Sequence, residues 1–172
     1  MKFSAKQIFV ALASLVITLG ALFAGQRLYH TAVVEKPLAN QLGSIIGVRQ
    51  AYLQGGNLIV RLKPKSNLMT VYQRVTANAA LTLGHVPSQI EIIGKPNNSL
   101  KSLANNMAFV VAQGEATGQF VAMKGDIQSL AARAGASARV ELDPHHLYLT
   151  LKEGHHILYD VIPLSIGGPG HA

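Results

Sequence analysis

The 172-residue chain has no cysteine. A disulfide framework is therefore excluded, and so is a bacterial lipoprotein anchor, which needs a cysteine after its hydrophobic run; the absence fits a Gram-positive envelope, where disulfides are dispensable. Catalytic signatures are missing too. There is no Gly-x-Ser-x-Gly, no P-loop, no His-Glu-x-x-His and no Gly-x-Gly-x-x-Gly. Nothing in the chain calls for a cofactor, and a non-catalytic protein is the first expectation. Acidic residues are few, eight against 15 lysines and arginines, and only one stretch is long and apolar enough to enter a membrane.

That stretch, residues 8–24, reads IFVALASLVITLGALFA, with Lys2 and Lys6 before it and Arg27 after it. At 1.5 Å per residue it makes about 25 Å of helix, within the range accepted for a span. Cleavage as a signal peptide would place Leu22 or Phe23 at the −3 position, where a small residue is wanted. A retained anchor in membrane lipid is the expectation. The short basic tail favours an N-terminus inside and a domain outside. The chain is thus read as a single-pass protein of the cell membrane. Residues 1–30 form tail and anchor, residues 37–164 an extracytoplasmic domain divisible into sub-modules 37–95 and 98–164, and residues 165–172, SIGGPGHA, a disordered tail.

The domain divides by charge. From Arg49 to Lys101 seven bases (Arg49, Arg61, Lys63, Lys65, Arg74, Lys95, Lys101) face one acid, Glu91, whereas from Glu115 onward four bases (Lys124, Arg133, Arg139, Lys152) meet six acids (Glu115, Asp126, Glu141, Asp143, Glu153, Asp160). Ordinary solvated faces that happen to differ explain this. So does head-to-tail packing of protomers, or a basic half turned to anionic lipid or wall polymer. Arg61, Lys63 and Lys65 are the residues expected to carry contact with an anionic surface.

Hydrophobic periodicity gives the element order. In the basic half, residues 37–46 form a short helix. Strands over 48–53 and 58–62 are joined by Gln54-Gly55-Gly56-Asn57, whose glycines supply the positive φ of a two-residue hairpin. Ser66 is placed to cap a helix that carries Leu68, Val71, Tyr72, Val75 and Ala79 and ends at Gly84. A strand follows over 89–93, giving αββαβ. In the second half Asn98 or Ser99 caps a helix with Leu100, Leu103, Met107, Val110 and Val111 on one face, and a second stripe runs from Phe120 to Ala134. The stripes are out of phase by about 220° at 3.6 residues per turn, so a break is expected at Gly114 to Gly118. A three-stranded meander ends this half, ααβββ: strands over 138–142, 147–152 and 157–162, with turns at Asp143-Pro144 and Glu153-Gly154. The expected fold is a compact α+β domain, mainly antiparallel sheet with helices on one face and both halves sharing one core.

Four of the seven histidines sit in that meander. His145 and His146 fall at one end of the central strand and His155 and His156 at the other, roughly 20 Å away at about 3.3 Å per residue. One tetrahedral metal ion cannot gather them. Solvated turn histidines are the preferred reading and no metal is expected. The one spot where a metal or acid–base cluster is imaginable is Asp143, His145, His146 and Asp160. Tyr148 and Tyr159 are expected to pair across strands.

The αββαβ order over residues 37–93 resembles the ring-building modules of secretion and sporulation membrane complexes and, at greater distance, KH-type RNA-binding domains. The Gly-x-x-Gly loop of the latter is absent, so nucleic acid is not an expected partner. The anchor, PLANQLGSIIGV and the closing LYDVIP are similar to uncharacterised single-pass membrane proteins of Gram-positive bacteria. Both resemblances imply an assembly or interaction module of the cell envelope, whose partners are other membrane or envelope proteins or further copies of itself. A ligand- or metal-sensing domain using the histidine turns is the alternative, and an enzyme of unrecognised type a second one.

Overall fold

The structure is a computed structural model that describes residues 14–15, 18–23, 41–84, 86–87 and 89–164. Its elements are β1 (Val48–Gln54), β2 (Asn57–Leu62), α1 (Leu68–Leu83), β3 (Ile90–Ile93), α2 (Asn98–Thr117), α3 (Phe120–Arg133), β4 (Ser137–Leu142), β5 (His146–Glu153) and β6 (His156–Pro163). The fold is α+β, in the order read from the sequence. Residues 41–43 are helical, and Leu42 is fully buried. Of the apolar run at 8–24, residues 14–15 and 18–23 are described and helical. The rest of that run, the expected tail at 165–172 and residues 37–40 of the first helix lie outside the described residues. Among the described residues no helix is long and apolar enough to cross a membrane.

The strands are mainly antiparallel, as expected, and form two three-stranded sheets, β1-β2-β3 and β4-β5-β6. In the first, β1 and β2 form the expected hairpin over Gly55 and Gly56, whose φ of +59° and +85° exclude most side chains. However, β3 joins β2 in parallel, because α1 crosses over and carries the chain back before it re-enters the sheet. The second sheet is the antiparallel meander. The two sheets touch at an antiparallel bridge between Lys95, just beyond β3, and Ile157 at the start of β6, where Lys95 N–H donates to Ile157 O at 2.9 Å and Ile157 N–H to Lys95 O at 3.3 Å. Gly94 permits this approach, since a Cβ there would run into the Ile157 carbonyl.

Side-chain alternation explains how the halves pack. Leu147, Leu149 and Leu151 of β5 are at most 1% exposed and join Leu100, Met107, Met123 and Ile127 of α2 and α3 in one core. Each such leucine contributes up to about 2 kcal/mol of apolar burial, so a charged residue at any of the three would dismantle this layer. The opposite face of the same strand carries Tyr148, which is 1% exposed and belongs to the other core, with Leu58, Val60, Leu68, Val71 and Val75. The meander therefore has helices on both faces, α2 and α3 on one and α1 on the other, rather than on one face as expected.

Helix ends also differ in detail. The cap of α1 is Asn67, one residue after the expected Ser66, and its Oδ1 accepts from Thr70 N–H at 2.8 Å. The cap of α2 is Asn97, just before the expected Asn98 or Ser99, and accepts from Leu100 N–H at 2.9 Å. In each case the amide nitrogen then donates to a glutamate of the meander, Asn67 to Glu141 and Asn97 to Glu153. A serine hydroxyl cannot span both partners; Ser66 donates instead to Gly47 O at 3.1 Å. The break between helices falls at Gly118, with φ +68°. Gly114 lies inside α2, where its missing side chain admits Met123 of α3: a Cβ would meet Met123 Cβ at 2.7 Å.

Candidate functional site

The polar face of the meander can be built row by row from the strand register. Directly opposed residues share a face, so Glu141, Tyr148 and Val161 form one row, Arg139, Thr150 and Tyr159 the next, and Ser137, Lys152 and Ile157 the last. The first row packs toward α1. The other two border a cleft of about 490 Å3, lined also by Lys65 and Ser66 from the connection between β2 and α1. Its lining holds three cations, Lys65, Arg139 and Lys152, and four hydroxyls, Ser66, Ser137, Thr150 and Tyr159, with Ala138 and Ile157 as apolar wall. Among the described residues no carboxylate lines it. Among the described residues none of the three cations takes part in an ion pair. Burial raises the pKa of Tyr159, so its hydroxyl stays protonated and remains a donor.

Lys65 arrives there at a conformational cost. Ser66 N–H donates to Lys63 O at 3.3 Å, closing a four-residue turn with Pro64 in second place and Lys65, φ +65°, in third. That is the pattern of a type II turn, whose third residue is ordinarily glycine. Lys65 is the only non-glycine residue with positive φ among those described.

The chain matches no family model, no curated protein and no solved structure. What the site does must be argued from its geometry.

Of the three basic residues singled out in the sequence, Lys65 lines the cleft, while Arg61 and Lys63 are exposed and do not. Arg139 and Lys152 were missed because they sit in the acid-rich half, where charge counting gives no reason to choose them. Turn positions in the meander carried the missing signal. Pairing outward from the Asp143-Pro144 and Gly154-His155 loops sets Arg139 beside Thr150 and Tyr159.

The second candidate, around Asp143, is a structural knot. Asp143 Oδ1 accepts from the backbone N–H groups of His145 and His146, both at 2.8 Å, and Oδ2 accepts from the Tyr148 hydroxyl at 2.6 Å and Gln73 Nε2 at 2.9 Å. Burial pushes its pKa up, but these four hydrogen bonds to the ionised form outweigh that effect and hold it well below the usual carboxylate range. Burial, the hydrogen bond to Asp143 and the nearby charge push Tyr148 in the opposite direction. His146 Nδ1 lies 3.7 Å from Asp143 Oδ1, and its ring is 5.4 Å from that of Tyr72 and 5.9 Å from that of Tyr148. The structure thus brings Asp143 and His146 together. It leaves His145 exposed, and Asp160 does not join the cluster: it is paired with Leu149 and so lies on the other face of the sheet. Tyr148 finds its aromatic partner in Tyr72, 5.7 Å away, rather than in Tyr159, which the register sets opposite Thr150. At the far end of β5, His155 is exposed, and His156 Nδ1 lies 3.2 Å from the Lys95 carbonyl.

Proposed function

We propose that the chain is a membrane-anchored, extracytoplasmic assembly module of the cell envelope, non-catalytic, whose copies associate head to tail. The observation that carries this reading is a matched pair of features beside two open sheet edges. Strands β1 and β4 are each paired on one side only among the described residues. Beside β4 runs an open groove lined mainly by Met69, Phe120, Val121, Met123, Val140 and Leu142. Val121 is 89% and Leu142 41% exposed, and Ile46, two residues ahead of β1, is 79% exposed. Setting β1 of one copy against β4 of the next brings Ile46 to that groove, and it sets the basic half of one copy against the acidic half of its neighbour. An interface between two different surfaces builds a ring if its rotation closes and a filament if it does not. The anchor reading is supported by the described part of the apolar run, where Leu15, Leu19, Leu22 and Phe23 are helical and uncovered.

The absence of cysteine makes a direct test available. The full chain carrying Ile46→Cys and Leu142→Cys together, oxidised in membranes, should give a ladder of species beyond the dimer on a non-reducing gel, and each single variant should stay monomeric. No ladder defeats the proposal; strong dimers from either single variant would replace it with a two-fold contact. Protease added to intact protoplasts should remove the domain and spare the N-terminal tail.

A further inference from the structure

We propose that the cleft between the two halves is a binding site for a phosphate ester. This goes beyond the assembly reading and does not depend on it.

Three observations converge. Among the described residues the lining presents three cations in no ion pair and two hydroxyls, Thr150 and Tyr159, whose protons have no acceptor, with no carboxylate; an anion among the three cations would relieve their mutual repulsion. Arg139 supplies a planar fork suited to two phosphate oxygens, and Lys65 and Lys152 act as point charges from opposite walls. The volume, about 490 Å3, falls in the range of small-molecule sites and greatly exceeds what inorganic phosphate fills. Ile157 and the ring of Tyr159 therefore have room to receive the carbon skeleton of the ligand. Finally, lysine occupies a turn position, φ +65°, that glycine fills without strain. Local strain is retained where a side chain is needed for something other than folding, and Lys65, which lines this cleft, supplies that need.

The ligand class is a polyol phosphate, found both in phosphate-linked polymers and in phospholipid headgroups. The probes separate the two sources: sn-glycerol 3-phosphate in solution, and vesicles of phosphatidylglycerol in neutral lipid. Binding to the full chain in detergent or nanodiscs is followed by calorimetry and by ligand-induced shift of the melting temperature. Saturable binding of glycerol phosphate, weakened at least tenfold by Arg139→Gln and by Lys152→Gln, assigns the site to the polymer type. Binding of vesicles alone with the same dependence assigns it to the headgroup. Lys65→Gly is the discriminating variant. It should lose affinity by a similar factor while melting no lower than the parent, a combination that a purely structural lysine would not give. Arg133→Gln, exposed and outside the cleft, should leave glycerol phosphate binding unchanged. Absence of saturable binding to either probe, or binding indifferent to Arg139 and Lys152, overturns the proposal, and neither result bears on the crosslinked ladder.

Discussion

Replacing Asp143 tests the knot that fixes α1 to the meander. In Asp143→Ala the backbone N–H groups of His145 and His146 lose their acceptor, a loss comparable to removing a helix cap, about 1 kcal/mol. The Tyr148 hydroxyl, on a residue only 1% exposed, is left without its carboxylate, and an orphaned buried donor costs about 1–3 kcal/mol. The exposed Gln73 contact adds little. The expected loss is about 3 kcal/mol by urea denaturation at pH 7, or roughly 10 °C in melting temperature. Asp143→Asn keeps an acceptor for the turn but not the charge, and should lose about 1–2 kcal/mol. The pH dependence has a definite sign. Because the folded-state pKa is depressed, the unfolded chain binds the proton more readily, so the contribution of Asp143 is complete above the unfolded value of about 3.9 and disappears as pH falls through the folded value. The gap between parent and Asp143→Asn should hold constant from pH 7 to about 5 and shrink only below about pH 4. An alanine variant within about 0.5 kcal/mol of the parent, or a gap that closes between pH 5 and 7, would refute the reasoning.

Gly114→Ala should destabilise by about 1–3 kcal/mol despite the better helix propensity of alanine, because the new methyl meets Met123; an unchanged denaturation midpoint would mean that α2 and α3 separate freely. Chelator should leave the melting temperature unchanged, and His145→Ala with His155→Ala should cost no more than two surface substitutions, each within about 0.5 kcal/mol, since the two side chains sit at opposite ends of β5; a chelator-induced loss of several degrees would contradict this. Replacing Arg61, Lys63 and Lys65 together by Gln should weaken binding to anionic vesicles and flatten its salt dependence, whereas vesicle binding indifferent to salt would rule out contact through the basic half.

Much of the fold is legible in the sequence because its signals are local. Two glycines in Gln54-Gly55-Gly56-Asn57 specify a hairpin, and alternation from Leu147 to Leu151 specifies a strand with one apolar face. The parallel placing of β3 was not legible, because it depends on where α1 returns the chain and no residue in the strand encodes it. Capping failed by one position for a related reason: Ser66 and Asn67 are both good local caps, and the choice rests on Glu141, 74 residues away, which only the amide of Asn67 can also reach. Asp160 was assigned to the Asp143 cluster from proximity in the meander, although strand parity puts it on the opposite face, as counting along β6 would have shown. The cleft escaped notice because its cations come from segments of opposite net charge, so that neither half advertises it.

The paired roles of Asn67 and Asn97 constrain the order in which the chain can mature. Each amide starts a helix with one end and grips a glutamate of the meander with the other, across 74 and 56 residues of sequence. During synthesis the amino-terminal half emerges before Glu141 and Glu153 do, and until they arrive both helices begin on amides held by one end only; α1 already has β1 and β2 to pack on, whereas α2 lacks Leu147, Leu149 and Leu151 of β5. Glu141 and Glu153 complete the two helix starts, and β5 between them brings its leucines to one core and Tyr148 to the other. Chains arrested before β5 should be degraded rapidly, even though every residue of the first hairpin and all three helices has already been made.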